Sequence, residues 1–391
     1  MINSIKISNY LTCKSINIIL KQPLTFLIGK NAVGKTNTLL GIFHASKWCF
    51  IDLEKGNYNK DFTAEFSLEY IKNDLSHHFI YKYKIYGEKE KYIKDSLWII
   101  KNGEKKLLFR KTGKTTLTFY FKGKKEKVRI PLHNSGLKFL FDNIVDERYK
   151  NFSNYNWVIL KITLEFIKIQ YYNNQQTVDL PIILKNNFEE WFKDKSKKDS
   201  EIFVYKFYDF YKNNSEIFNE YKKILIKLNL LEDIVIIEYI PEEVNEFDTN
   251  SLTNFIVIFF IINGENLIFS ALSDGTKRML TLLFSFFYEK PSLMLIEEPE
   301  NSIHWRLLSN YLDILNQYVD NTNKVLFTTH SDHVLNKLKP EQLICLYSEN
   351  GYTKTKYLTG TSLNRVKNFM NEIGPLGEYI VSGGLEEEID G

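Results

Sequence analysis

The apolar positions of this 391-residue chain change period along its length, and each change predicts a different element. Ile5 and Ile7 alternate with polar neighbours, Ile16 to Leu20 is apolar, and Leu24 to Ile28 reads as a buried strand. Three strands are therefore expected before residue 29, the first two as a small side sheet, with a helix over Thr38 to Ala45 beyond it. Between residues 60 and 130, Phe66 to Tyr70, Phe79 to Ile85 and Leu117 to Phe121 alternate, with breaks at Gly87, Gly103, Gly113 and Gly123. That pattern predicts an antiparallel meander.

From residue 135 to 235 the spacing turns helical. Ile202, Phe203, Phe207, Phe210 and Tyr211, then Ile217, Tyr221, Ile224 and Leu228, form aromatic-rich stripes better read as core than as a ligand box. No heptad runs long enough for a coiled coil, and Lys193 to Ser200 reads as an exposed charged loop. After Phe255 the core pattern returns. Phe255 to Ile262 and Leu267 to Leu272 flank Asn263-Gly264 as a hairpin. A helix over Lys277 to Tyr288, a strand over Ser292 to Ile296, a helix over Trp305 to Val319 and a strand over Val325 to Thr329 follow. A hairpin turning at Asn350-Gly351, a helix over Leu363 to Glu372 and a glycine-rich tail close the chain. The expected division is an N-terminal lobe over 1–130, a helical insertion over 131–250 and a C-terminal lobe over 251–391.

Composition narrows the class only a little. A net charge of +3 is too small to argue for nucleic acid by itself. Its distribution is more pointed: eleven basic residues between Lys101 and Arg129 face two acids, Glu104 and Glu126. Such a stretch can attract a phosphate backbone or an acidic partner, or be an ordinary solvated sheet face. Three scattered cysteines, Cys13, Cys49 and Cys345, argue against a disulfide framework and for a reducing compartment. The N-terminus lacks a signal-peptide layout and the longest apolar run, Phe255 to Ile262, is too short to span a bilayer. A cytoplasmic protein with no membrane contact is expected.

Chemistry concentrates in four segments. Gly29-Lys30-Asn31-Ala32-Val33-Gly34-Lys35-Thr36 fits the phosphate-binding pattern G-x-x-x-x-G-K-[ST], with a strand before it and a helix after it. Glycines let backbone N–H groups wrap phosphates, the helix N-terminus adds partial positive charge, Lys35 reaches the β and γ phosphates and Thr36 holds Mg²⁺. Asn31 and Asn37 complete the candidate ATP contacts. The strand Ser292 to Ile296 ends in Glu297-Glu298-Pro299-Glu300, where Glu297 would help hold Mg²⁺ and Glu298 would activate water. Leu272 to Thr276 opens a helix, so Ser273 and the backbone around Gly275 can cap a phosphate. His330 closes the strand before Ser331.

Together these segments resemble the SMC/RecF-like branch of ABC-class ATPases. Closer still are the stand-alone OLD-like ATPases of bacterial anti-phage systems, through Glu297 to Glu300 followed by His304, and Thr328 to Ser331 followed by Leu335. The likeness covers residues 1–50 and 255–340. It implies an α/β ABC-class phosphate-loop fold, with Lys35, Glu298 and His330 catalytic and His330 as the switch residue at the γ-phosphate. It also implies that Ser273 reaches the nucleotide of a second copy, hence a head-to-tail dimer. Three departures stand out. Glu297 replaces the aspartate of many relatives, no lid-loop glutamine is evident beyond the candidate Gln170, and only 52 residues follow Lys339, where OLD nucleases carry a Toprim domain. The acidic tail of Glu386, Glu387, Glu388 and Asp390 is expected to be solvated, and Gly374 to Tyr379 resembles the ending of stand-alone subunits. The expectation is an ATPase without its own nuclease, of the PARIS or Abi type, whose ATP-dependent assembly controls a separately encoded effector such as a Toprim-like nuclease. The alternative is a RecF-like repair ATPase using Lys101 to Arg129 on DNA.

Overall fold

In a computed structural model the chain is described over residues 1–50, 61–72, 75–87, 91–121, 124–144, 153–173, 183–184, 199–239 and 255–385. Part of the loop at Lys193 to Ser200, together with Lys122, Gly123 and the acidic residues Glu386, Glu387, Glu388 and Asp390, lies outside these. Two compact units are present. The first comprises Met1–Asn173, Pro291–Pro299 and Asp313–Gly391, and the second comprises Asn174–Lys290 and Glu300–Leu312.

The first unit holds two sheets. Strands β1 (Ile2–Tyr10) and β2 (Cys13–Ile19) do not form a separate side sheet. They extend the meander, because β1 pairs with β4 (Thr63–Lys72). The sheet continues antiparallel through β5 (Leu75–Tyr86), β6 (Tyr92–Lys101), β7 (Glu104–Lys111), β8 (Thr116–Phe121) and β9 (Lys124–Arg129). Its inward positions, such as Phe66, Phe79, Tyr81 and Leu97, are fully buried. The turn between β6 and β7 is Asn102-Gly103, both residues at positive φ as a two-residue hairpin requires.

The second sheet is parallel apart from its final strand, in the order β10 (Ile169–Tyr172), β15 (Leu293–Ile296), β16 (Lys324–Thr328), β3 (Leu24–Ile28), β17 (Leu343–Glu349) and β18 (Tyr352–Tyr357). Every residue of β3, β15 and β16 is buried, which explains their predominantly apolar sequences. Helix α1 (Lys35–Trp48) shares one apolar core with the inner face of the antiparallel sheet and with β10, β15, β16 and β17. Two further helices, α2 (Gly136–Asp142) and α3 (Ser153–Ile167), join that core through Leu137 and Phe166. The region read as helical thus also supplies β10, a four-residue edge strand too short to show a period.

In the second unit the aromatic stripe is core. Helices α4 (Asp199–Asn213) and α5 (Ser215–Lys227) bury Phe203, Phe207, Phe210 and Tyr221, and Phe203 meets Phe284 edge-on at 4.6 Å. Strand β13 (Phe255–Ile262) pairs with β11 (Ile183–Leu184), β12 (Asp233–Tyr239) and β14 (Glu265–Leu267). The hairpin's second strand is shorter than expected: Phe269–Ala271 is a 3₁₀ turn, because the chain must bend to start α6 (Asp274–Phe284). That helix ends in a single π turn, Ser285–Glu289, rather than running on as α-helix. Helix α7 (Trp305–Tyr318) begins in the second unit and ends in the first.

Candidate active site

Buried strand β3 delivers the chain into the loop Gly29 to Thr36 at the centre of the parallel sheet. The glycines are required by space and by dihedral angle. Gly29 has φ 151°, and a Cβ there would lie 2.2 Å from the Leu346 carbonyl oxygen. Gly34 has φ 95° and caps α1, and a Cβ would lie 2.1 Å from Thr353 Oγ1 and 2.6 Å from Thr12 Oγ1. Lys35 Nζ donates to Gly29 O at 2.8 Å and Lys30 O at 2.9 Å, so its ammonium sits on the inner rim of the loop. Asn37 Nδ2 donates to Thr12 Oγ1 at 2.9 Å, which in turn is 2.8 Å from Thr353 Oγ1. Asn31 instead lines a cavity of about 780 Å³ beside the loop, along with Lys30, His330, Asp332 and Glu349.

The sheet order places three strand ends around this loop. Thr36 Oγ1 donates to Glu297 Oε1, joining the first residues of α1 to the end of β15. Tyr171 OH donates to Glu297 Oε2, so both oxygens of this carboxylate are engaged. Burial, reinforced by the neighbouring Glu297 carboxylate, raises the Tyr171 phenol well above its ordinary range and keeps it a donor. Glu298 follows with φ 37°, a left-handed conformation costing a non-glycine residue about 1–2 kcal/mol. Its N–H donates to both oxygens of Thr328, at 3.2 Å to the carbonyl and 3.1 Å to Oγ1, which fixes the turn. His330 Nε2 stands 3.4 Å from Glu298 Oε1. Thr36, Glu297, Glu298 and His330 are therefore gathered within one unit.

Tyr171 is absent from the sequence-based candidates. It follows Gln170, whose Oε1 accepts a hydrogen bond from Tyr172 OH. Only the pairing of β10 with β15 brings Tyr171 beside Leu295 and so within reach of Glu297. Among the described residues no group of three or more His, Cys, Asp or Glu side chains gathers as a metal site. Mg²⁺ bound with a nucleotide needs no such group, since it keeps waters and shares one or two carboxylates with phosphate oxygens. The Thr36 hydroxyl beside the Glu297 carboxylate is a donor set of that kind.

Ser273 and Gly275 belong to the second unit. Ser273 caps α6, its exposed Oγ accepting from Thr276 N–H at 3.2 Å. A Cβ on Gly275 would lie 2.7 Å from Ser302 O, and Arg278 Nη1 donates to Ser302 Oγ at 2.9 Å. The stretch from Lys101 to Arg129 is not one surface. Lys111 is buried and donates to Leu132 O at 2.9 Å and Asn134 O at 2.7 Å, with burial lowering its pKa to about 8.

The fold is that of the ABC-class phosphate-loop ATPases. It is similar to that of a solved SMC head bound to the C-winged helix domain of ScpA. That match has 13% identity, covers 93% of this chain and 99% of that one, and has a TM-score of 0.53. An SMC head domain from Thermotoga maritima also matches, at 13% identity, 92% and 99% coverage and a TM-score of 0.43. No curated protein matches the chain. More specifically, the chain belongs to the family described as "AAA domain, putative AbiEii toxin, Type IV TA system", whose pattern it fits over residues 24–336. Families of this ATPase class generally bind ATP with Mg²⁺. Among the described residues no helix is long and apolar enough to cross a membrane.

Proposed function

We propose that this chain is the ATP-hydrolysing subunit of a cytoplasmic bacterial anti-phage defence complex, and that its ATP-dependent assembly controls a separately encoded effector, such as a Toprim-like nuclease. The observation that carries the hydrolytic part is the joining of Thr36 to Glu297, with the Glu298–His330 pair on the neighbouring strand ends. Lys35 and the loop glycines would hold the β and γ phosphates of ATP. Thr36 and Glu297 would hold Mg²⁺, which neutralises phosphate charge. Glu298 would take the proton of the attacking water, and His330 would steady the γ-phosphate. Ser273 of a second copy, with the N–H groups at the start of its α6, would complete the site across a head-to-tail dimer. The family description, which names an abortive-infection toxin and a toxin–antitoxin system, supports a defence setting.

Lys35→Ala should abolish ATP binding measured with a fluorescent analogue. Glu298→Gln should keep binding and slow phosphate release by about a hundredfold or more, the usual contribution of a general base. Hydrolysis by Glu298→Gln at the wild-type rate would remove Glu298 from the chemistry. Co-expression with the adjoining gene tests the rest: its product should co-purify with the trapped Glu298→Gln protein. Retention of DNA instead of a protein partner would favour the RecF-like repair role.

A further inference from the structure

The outward face of the antiparallel sheet changes character halfway across. On the β1–β5 side its lysines have acidic partners: Lys6 and Lys82 share Glu65 at 3.5 and 3.3 Å, and Lys84 lies 2.8 Å from Asp61. From β6 to β9 the register turns Lys94, Lys105, Arg110, Lys125, Lys127 and Arg129 outward, and no acid occupies an outward position among the described residues. Asp95 points into the core, and Glu104 and Glu126 fall on the opposite parity. Lys94 stands directly opposite Lys84, a like-charge pairing that disfavours the sheet.

Aromatic rings alternate with these cations. Lys105 Nζ lies 4.3 Å from the Trp98 ring and Lys94 Nζ 4.7 Å from the Tyr86 ring, while Tyr86 and Tyr92 stack at 5.5 Å. Tyr120 adds a fourth ring beside Lys125. Edge protection accounts for lysines on β9, the last strand, because charged side chains discourage edge-to-edge pairing. It does not account for Lys94, Trp98 and Lys105 on interior strands.

We infer that the outward face of β6 to β9 binds a single strand of nucleic acid, with phosphates on the cations and bases stacked on Trp98 and the tyrosines. Unpaired positive charge matches a polyanion, and half-buried rings on a sheet offer the stacking platforms that an unpaired base, unlike a closed duplex, can use. The surface is independent of the nucleotide-site assignments.

The test is fluorescence anisotropy with labelled oligothymidylate, oligouridylate and a matched duplex, across a salt series, on the full chain. Either single strand should bind, with affinity falling steeply as salt rises. Lys127→Glu with Arg129→Glu should flatten the salt slope by about 0.7 for each phosphate that these cations no longer neutralise. Trp98→Ala should weaken binding about tenfold with the slope unchanged, and Trp98→Phe should restore most of it. Melting temperature and ATP binding should be unaffected in the β9 double variant, which separates impaired binding from impaired folding. The inference is overturned by no binding at low salt, by a duplex bound as tightly as a single strand, by wild-type affinity in both Trp98→Ala and the β9 variant, or by equal displacement with polyglutamate.

Discussion

Glu297 is held from two sides, Oε1 by Thr36 and Oε2 by Tyr171, so its orientation depends on α1 and β10 together. Removing the phenol oxygen frees one oxygen of the carboxylate proposed to hold Mg²⁺. We expect Tyr171→Phe to leave ATP affinity within about twofold of wild type, to lower turnover by roughly tenfold, and to raise the Mg²⁺ concentration for half-maximal rate, as for loss of a group orienting a metal ligand. Phosphate release titrated with Mg²⁺ reads all three, and an unchanged Mg²⁺ midpoint would limit Tyr171 to packing. Glu297, Glu298 and Lys35 could be picked out as candidates because each sits in a local pattern of recognisable spacing, and the structure gathers them around one loop. Tyr171 was not, because its partner is 126 residues away and is reached only through parallel strand pairing.

Helix α1 carries the loop, and its seat against β1 should be sensitive to pH. Tyr10 OH and His44 Nδ1 are 2.7 Å apart, and the His44 ring stacks on Trp48 at 5.2 Å. Burial pushes the Tyr10 phenol up to about 12, so it stays protonated and donates to a neutral imidazole. Burial likewise lowers the His44 pKa below 6.5. The unfolded chain then takes up a proton near pH 6.5 that the folded chain refuses until lower pH, so stability rises with pH across that interval. The contribution is intact above about pH 6.5 and is lost as pH falls through the folded value. Urea midpoints should therefore drop between about pH 7 and about pH 5, and His44→Phe should flatten that drop. A slope unaltered in His44→Phe would assign it to other groups. At this scale turns and caps were readable: Asn263-Gly264 and Asn350-Gly351 both adopt positive φ, and Ser273 caps its helix. The π turn after Phe284 and the shortness of β14 were not, since tertiary packing rather than local propensity sets where those elements stop.

For the whole molecule, the order of segments along the chain revealed the ATPase class, whereas the division into units and the strand order of the sheets are non-local and left no periodic trace. The proposed dimer makes a sharper demand than any single variant. If Ser273 serves the nucleotide of another copy, Lys35→Ala and Ser273→Arg damage opposite halves of each site. Each variant alone pairs one damaged half with one intact half at every site, so each should be inactive. In a mixed head-to-tail dimer, one site receives both damaged halves and the other receives Lys35 from one copy and Ser273 from its partner. Random mixing makes about half of the dimers mixed, each with one of two sites intact, so activity should return to about a quarter of wild type. If Ser273 acts within its own chain, no mixture contains an intact site and activity stays at the level of the single variants. Steady-state phosphate release from co-refolded or co-expressed variants decides between the two, and recovery should disappear when the Lys35→Ala copy also carries Ser273→Arg.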